Sequence, residues 1–175
     1  MQQQTSPGKI SPFIADISLL LVALGWGSTF IVVKTAIQDL PPFPFLCGRF
    51  ALAFLSLLPL LWLHRRHINL PTIGKGALAG FFLFLGYATQ TIGLQYTTAS
   101  NAGFITGLNV VIVPILLAIY HKKLPPKTLC YGIICSVLGL ALMSIQDGFT
   151  VNAGDPIVLI CAFCYALQII LVARF

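Results

Sequence analysis

The stretch IADISLLLVALGWGSTFIVVKTAI, residues 14–37, decides the fold of this chain. It exceeds the roughly 20 apolar residues that cross a bilayer core, and its only charges, Asp16 and Lys34, stand near its two ends. A helix satisfies its own backbone hydrogen bonds, so a run of this kind enters hydrocarbon as an α-helix. Lys9 precedes it as in a secretory leader, but the run is too long for a leader's apolar core. No small-residue cleavage site follows before Pro41. A retained first span is expected.

Five further apolar runs follow, at about 43–63, 74–95, 101–120, 127–145 and 156–173. The gaps between them hold Pro41 and Pro42, then His64 to Pro71, Thr97 to Ser100, Pro125 and Pro126, and Gln146 to Pro156. All carry turn or cap chemistry, and none could house a soluble domain. Hydrophobic residues make up 58% of the chain and charged residues 8%, with mean hydropathy +0.95. A water-soluble globule would lack the polar side chains to cover its surface. The expected fold class is all-α integral membrane with six transmembrane helices, and the lipid bilayer is the first partner.

The net charge of +6 raises nucleic acid as a partner, but the cations flank apolar runs instead of striping a polar domain, so nucleic acid is set aside. Lys9, then Arg65, Arg66 and Lys75, then Lys122, Lys123 and Lys127, then Arg174 occupy the N-terminus, the second and fourth loops and the C-terminus. The other loops hold Asp39, no charge, and Asp147 with Asp155. The positive-inside rule then places both termini in the cytoplasm, in a multi-pass protein of the plasma or inner membrane.

Small residues recur at four-residue spacing in Gly76/Gly80, Gly103/Gly107 and Gly132/Ser136, where close helix approach is expected. Trp62, Tyr96 and Tyr120 stand near span ends as interfacial anchors. The five cysteines fall in or beside apolar runs, and an odd number so placed argues against a disulfide framework. Cys161 and Cys164 have no matching Cys or His partner at their depth, so a zinc or redox site is not expected.

Setting Asp16 on Asp155 brings Ala23 onto Ala162, Trp26 onto Tyr165 and Gly27 onto Ala166. An odd number of spans separates the two starts, so a second unit beginning at Asp155 would insert upside down, as in inverted-repeat transporters. The expected organisation is a cytoplasmic segment 1–13, a first five-helix repeat 14–145, and 146–175 as a loop with the first helix of an incomplete second repeat.

Four segments together resemble one known family. Ala23-Leu24-Gly25-Trp26-Gly27-Ser28-Thr29-Phe30 with Lys34 looks like the first helix of the EamA-type carriers in the drug/metabolite transporter superfamily. Pro44 to Phe50, with its arginine-aromatic pair, resembles the start of their second helix; Gly93 to Ala102 resembles their third-to-fourth link, with Pro114 following. Gly154-Asp155 through Tyr165 resembles the opening of their second repeat. The resemblance implies ten helices in two inverted five-helix repeats, of which this chain holds one EamA repeat and one more helix. Tyr120-His121-Lys122-Lys123-Leu124 departs from the family's Gly-Glu-Arg type of sequence, with Lys122 in the glutamate's place.

The candidate substrate-binding residues are Trp26, Thr29, Lys34, Arg49, Gln90 and Asn109. Trp26 lies mid-span between Gly25 and Gly27, with the hydroxyls of Ser28 and Thr29 after it, so a flat aromatic face could meet a solute at a local bend. Lys34 and Arg49 are the cations within spans, at about 4 Å and about 9 Å from the outer end at 1.5 Å per residue. Lys34 also reads as an anchor whose stem snorkels from a helix C-terminus. Arg49 needs an acceptor, either Asp39 or Asp155 or the carboxylate or phosphate of a solute. Thr89, Gln90 and Thr91, with Thr106 and Asn109, are polar groups at depths where unpaired polar atoms are costly, so they bind either neighbouring helices or a solute. Asp155 before Pro156 reads as a helix cap.

No catalytic or metal-ligating set is present. His64, His67 and His121 all fall in basic loops, no nucleophile has a base at its depth, and neither a cofactor motif nor a P-loop occurs. The chain lacks glutamate, so proton exchange by a mid-helix glutamate, as in small multidrug exporters, has no carrier residue. The resulting expectation is a secondary carrier of a small metabolite such as an amino acid. It would be a fragment that works by alternating access with its missing half or a second copy. The alternative is a non-transporting truncated remnant, or a scaffold that acts only with a partner chain.

Overall fold

The computed structural model describes residues 12–63, 69–122, 126–145 and 152–175. Lys9, His64, Arg65, Arg66, His67, Lys123 and Asp147, which carry part of the charge argument, lie outside the described residues. The regular structure is helical throughout: α1 Pro12–Asp39, α2 Pro42–Leu63, α3 Leu70–Gln95, α4 Ala99–Gly107, α5 Asn109–His121, α6 Lys127–Ile145 and α7 Asp155–Arg174. Five helices have the length and apolarity to cross a membrane, counting Ala99–His121 as one; α6 adds a shorter apolar helix over Lys127–Gly139. The chain is an all-α, multi-pass membrane protein.

Local chemistry sets the helix ends. Asn69 accepts hydrogen bonds from the Thr72 N–H at 3.0 Å and the Thr72 hydroxyl at 2.6 Å, and Pro71 stands in the first turn of α3. Thr98 caps α4 by accepting from the Asn101 N–H at 3.0 Å. α5 stops at Lys122, whose φ of 51° is left-handed and cannot continue a helix. Asp155 differs from its expected place: it is the first residue of α7, after Gly154, and its carboxylate reaches back to the Asn152 N–H at 2.8 Å. That bond still occupies an N–H just ahead of the helix, which is why the residue type reads as a cap.

The expected fourth span is two helices. At Leu108 the bonding tightens, with the Leu108 N–H on the Ile105 carbonyl at 3.1 Å and the Val111 N–H on the Leu108 carbonyl at 2.9 Å. Pro114 follows inside α5 and withholds the N–H that the Val110 carbonyl would take.

Packing is uneven. α7 lies along α3 over its most extensive contact and touches α4 and α5, while α6 packs on α4 from outside. The expected small-residue seams are not where backbones meet: a Cβ on Gly76, Gly80, Gly103 or Gly132 would find open space. Close approach occurs instead at Gly86, Gly93 and Gly154. A Cβ on Gly86 would come within 2.5 Å of the Tyr165 ring, and one on Gly93 within 2.5 Å of Val158 Cγ2. Gly86 and Gly93 are two turns apart on one face of α3, and that face receives α7.

α1 and α2 lean on this pair at one end. Val33, Ile37, Leu94, Ala102 and Val158 form a buried cluster where α1 and α3 finish and α4 and α7 begin, with Phe30, Phe45 and Ile105 packed around it. In the orientation expected from the charge rule this is the outer end. At the opposite end, the Arg174 guanidinium sits 3.9 Å from the Tyr120 ring centroid and the Lys75 ammonium 5.3 Å from that of Phe175. Trp62, Tyr96 and Tyr120 are all exposed.

Candidate functional site

A cavity of about 460 Å³ lies between α1, α2, α3, the α4–α5 bend and α7, just below the buried outer cluster. Each wall is a helix face with helical spacing. α1 presents Trp26, Thr29 and Phe30; α3 presents Leu83, Tyr87 and Gln90; α7 presents Tyr165, Gln168 and Ile169. Arg49 enters from α2, Thr106 from α4, and Asn109 from the start of α5.

Of the six candidate residues, Trp26, Thr29, Arg49, Gln90 and Asn109 line this cavity. Lys34 does not. One turn beyond Phe30, its ammonium donates to the Leu94 carbonyl at 2.5 Å and the Thr97 carbonyl at 2.7 Å. The first belongs to the last turn of α3, where the helix dipole favours a cation, and the second to the α3–α4 link just beyond it. Thr97 in turn donates its hydroxyl to Asp155 at 2.5 Å. Lys34, Thr97 and Asp155 thus tie α1, the α3–α4 link and α7 together over the outer cluster.

Arg49 stacks its guanidinium 4.2 Å from the Tyr87 ring centroid. Tyr87 meets Tyr165 edge-on at 5.5 Å and Phe50 at 5.7 Å, and Phe50 meets Phe84 at 5.8 Å. Among the described residues no carboxylate pairs with Arg49, and Asp155, one of its two expected protein partners, is held by Thr97 and Asn152. The guanidinium carbon lies over the aromatic ring, and a guanidinium carries its N–H donors along its edges.

The neutral polar groups divide into two kinds. Thr29 donates its hydroxyl to the Trp26 carbonyl at 2.6 Å and Ser28 donates to Gly25 at 2.8 Å, so both protons are spent within α1. Gln90 donates to the Thr106 hydroxyl at 3.2 Å, which joins α3 to α4 beside the cavity. The Tyr165 hydroxyl is buried with no hydrogen-bond partner among the described residues, and its ring rests on Gly86.

Tyr87, Tyr165 and Gln168 were not among the candidates. For two of them a signal was present: the shift that sets Trp26 on Tyr165 also sets Thr29 on Gln168 and Phe30 on Ile169. All six positions line the same cavity. Tyr87 offered none, being one tyrosine in a long apolar helix.

Comparison with known proteins follows the same lines. The EamA-like transporter family matches residues 13–145. An uncharacterized transporter of Archaeoglobus fulgidus is 38% identical over 177 residues, covering 100% of this chain and 54% of the relative. A second from the same organism is 29% identical over 165 residues, covering 87% of this chain and 55% of the relative. The uncharacterized transporter YcxC of Bacillus subtilis is 28% identical over 160 residues, 87% of this chain and 51% of the relative. The chain spans about half the length of the curated relatives it matches. No solved structure matches it.

Proposed function

The chain belongs to the EamA-like transporter family, and on that premise we propose that it forms half of the solute pathway of a secondary carrier. The carrier moves a small metabolite across the plasma or inner membrane by alternating access, with both termini of this chain on the cytoplasmic side. The observation that carries the reading is the cavity itself. It is a half-open cleft among the helices, with Trp26 itself 67% exposed, and combines aromatic walls with a guanidinium and three side-chain amides, a composition suited to an oriented small solute. Its lining by equivalent positions of α1 and α7 supports the inverted-repeat organisation, with residues 14–145 as one unit and 146–175 opening the next. Trp26, Thr29, Arg49, Gln90 and Asn109 are the proposed solute contacts, and Lys34 is assigned to the outer tie. The reading includes no catalytic step.

On this reading the outer end is shut. The buried cluster and the Lys34–Thr97–Asp155 tie stand between the cavity and that face, so release outward requires them to part. The test is counterflow: vesicles carrying this chain joined to the complementary half of the carrier are preloaded with unlabelled amino and organic acids and given labelled solute outside, without ATP. Labelled solute should accumulate transiently, and Arg49→Ala should remove the accumulation while membrane insertion is kept. An inserted wild-type protein that gives no exchange with any solute of the panel overturns the carrier reading. That outcome would favour a chain that acts only as a scaffold for a partner.

A further inference from the structure

Among the described residues that line the cavity, Arg49 is the charged one, and none is an aspartate or glutamate. The chain as a whole contains four aspartates and no glutamate. Asp155, a member of the outer tie, is held by Thr97 and Asn152. A guanidinium inside a membrane is costly without a counter-charge, and among the described residues no carboxylate pairs with Arg49; a ligand anion lowers that cost directly.

The stacking geometry says how. The Arg49 guanidinium carbon lies 4.2 Å from the Tyr87 ring centroid, and its N–H donors lie in the plane of the group, so an edge can take a carboxylate or phosphate through two parallel hydrogen bonds. An ammonium has no equivalent reception. It would find neutral groups here, the amide oxygens of Gln90, Asn109 and Gln168 and the aromatic faces, and it would leave water without a counter-charge while close to a like charge. The face of Trp26, which is 67% exposed, leaves room for a flat apolar body.

We infer that this site takes a monoanion that carries no ammonium group, an aromatic organic acid and not an amino acid. The inference narrows the metabolite class of the proposed carrier and rests on reading the cavity as its solute site.

The test uses three compounds with one skeleton, 3-phenylpropionate, phenylalanine and phenethylamine, titrated calorimetrically into the protein in phosphatidylcholine nanodiscs. The acid should bind at least about tenfold more tightly than phenylalanine, and the amine most weakly. Arg49→Gln should erase the difference between acid and amino acid, and Arg49→Lys should retain part of it, both at an unchanged melting temperature. Equal or tighter binding of phenylalanine by the wild type overturns the inference, and so does binding of none of the three. Loss of the acid's binding when phosphatidylglycerol replaces part of the phosphatidylcholine assigns the site to a lipid head group and overturns it too. Because this measures binding, discrimination without counterflow sinks the carrier reading and leaves the anion assignment standing.

Discussion

The α3–α7 pair and the α1–α2 pair have similar compositions and opposite packing. α3 and α7 meet backbone to backbone at Gly86, Gly93 and Gly154, and Leu94, Val158, Cys161, Ala162 and Ala166 are sealed at or near zero exposure. α1 and α2 bury only Val33, Ile37 and Leu46, all at the outer end, and elsewhere display leucines, isoleucines and phenylalanines. In water such a display would drive collapse; in hydrocarbon it costs nothing, because lipid tails are as apolar as leucine. What separates the two pairs is therefore close fit, supplied by glycine on one side and lacking on the other. The tight pair is a fixed wall for the cavity, and the loose pair is joined to it by a cluster and one tie.

The largest effect is expected where the fit is closest. Gly93→Ala would push a methyl group into Val158 and towards the Gly154 carbonyl, which lies 3.1 Å from the added carbon. A backbone carbonyl cannot swing away as a side chain can, so a loss of about 1–3 kcal/mol is expected in reversible unfolding from mixed micelles. An unchanged unfolding midpoint would mean that the α3–α7 contact is not the stabilising one. Next comes the tie between the pairs. Lys34→Met removes two charge-assisted hydrogen bonds to the Leu94 and Thr97 carbonyls and should cost about 1–2 kcal/mol. It should also raise the labelling of a cysteine placed at Thr29 by an impermeant reagent added outside. If labelling stays at the wild-type level, the tie does not close the outer face.

Thr97→Val cuts the bond to Asp155 at the same place, with an expected loss of about 1 kcal/mol in the same unfolding assay. Its effect should shrink in the Lys34→Met background if the two act as one unit. The smallest effect is expected on the loose side and has the opposite sign. A Cβ at Gly25 meets nothing within 4 Å, so Gly25→Ala should stabilise α1 by about 0.5–1 kcal/mol through backbone entropy alone. A destabilised Gly25→Ala protein would show that α1 is more tightly enclosed than the comparison holds.

Five residues read from the sequence as site candidates, Trp26, Thr29, Arg49, Gln90 and Asn109, line a single cavity because each is polar or bulky at a depth where lipid favours neither. Lys34 met the same criterion and stands elsewhere, since a lysine stem is long enough to reach carbonyls at and just beyond the end of α3. Tyr87 escaped notice because a tyrosine within an apolar helix looks the same whether it faces lipid, a neighbour or a solute. The glycine seams were misplaced for a related reason. Four-residue spacing marks which glycines could let helices approach, while Gly86 and Gly93 are the ones that α7 meets.

The spans, their order and the side of the membrane expected for each loop follow from the sequence by itself, because hydrocarbon obliges each crossing segment to close its own backbone hydrogen bonds and basic residues mark the cytoplasmic side. Which helices touch, where the fourth one bends, whom Lys34 binds and how Arg49 comes to lie on Tyr87 were decided only by the tertiary structure. In lipid the buried and exposed faces of a helix are equally apolar, so no hydrophobic periodicity records which face meets a neighbour. That choice rests on shape, and shape is a property of two helices together.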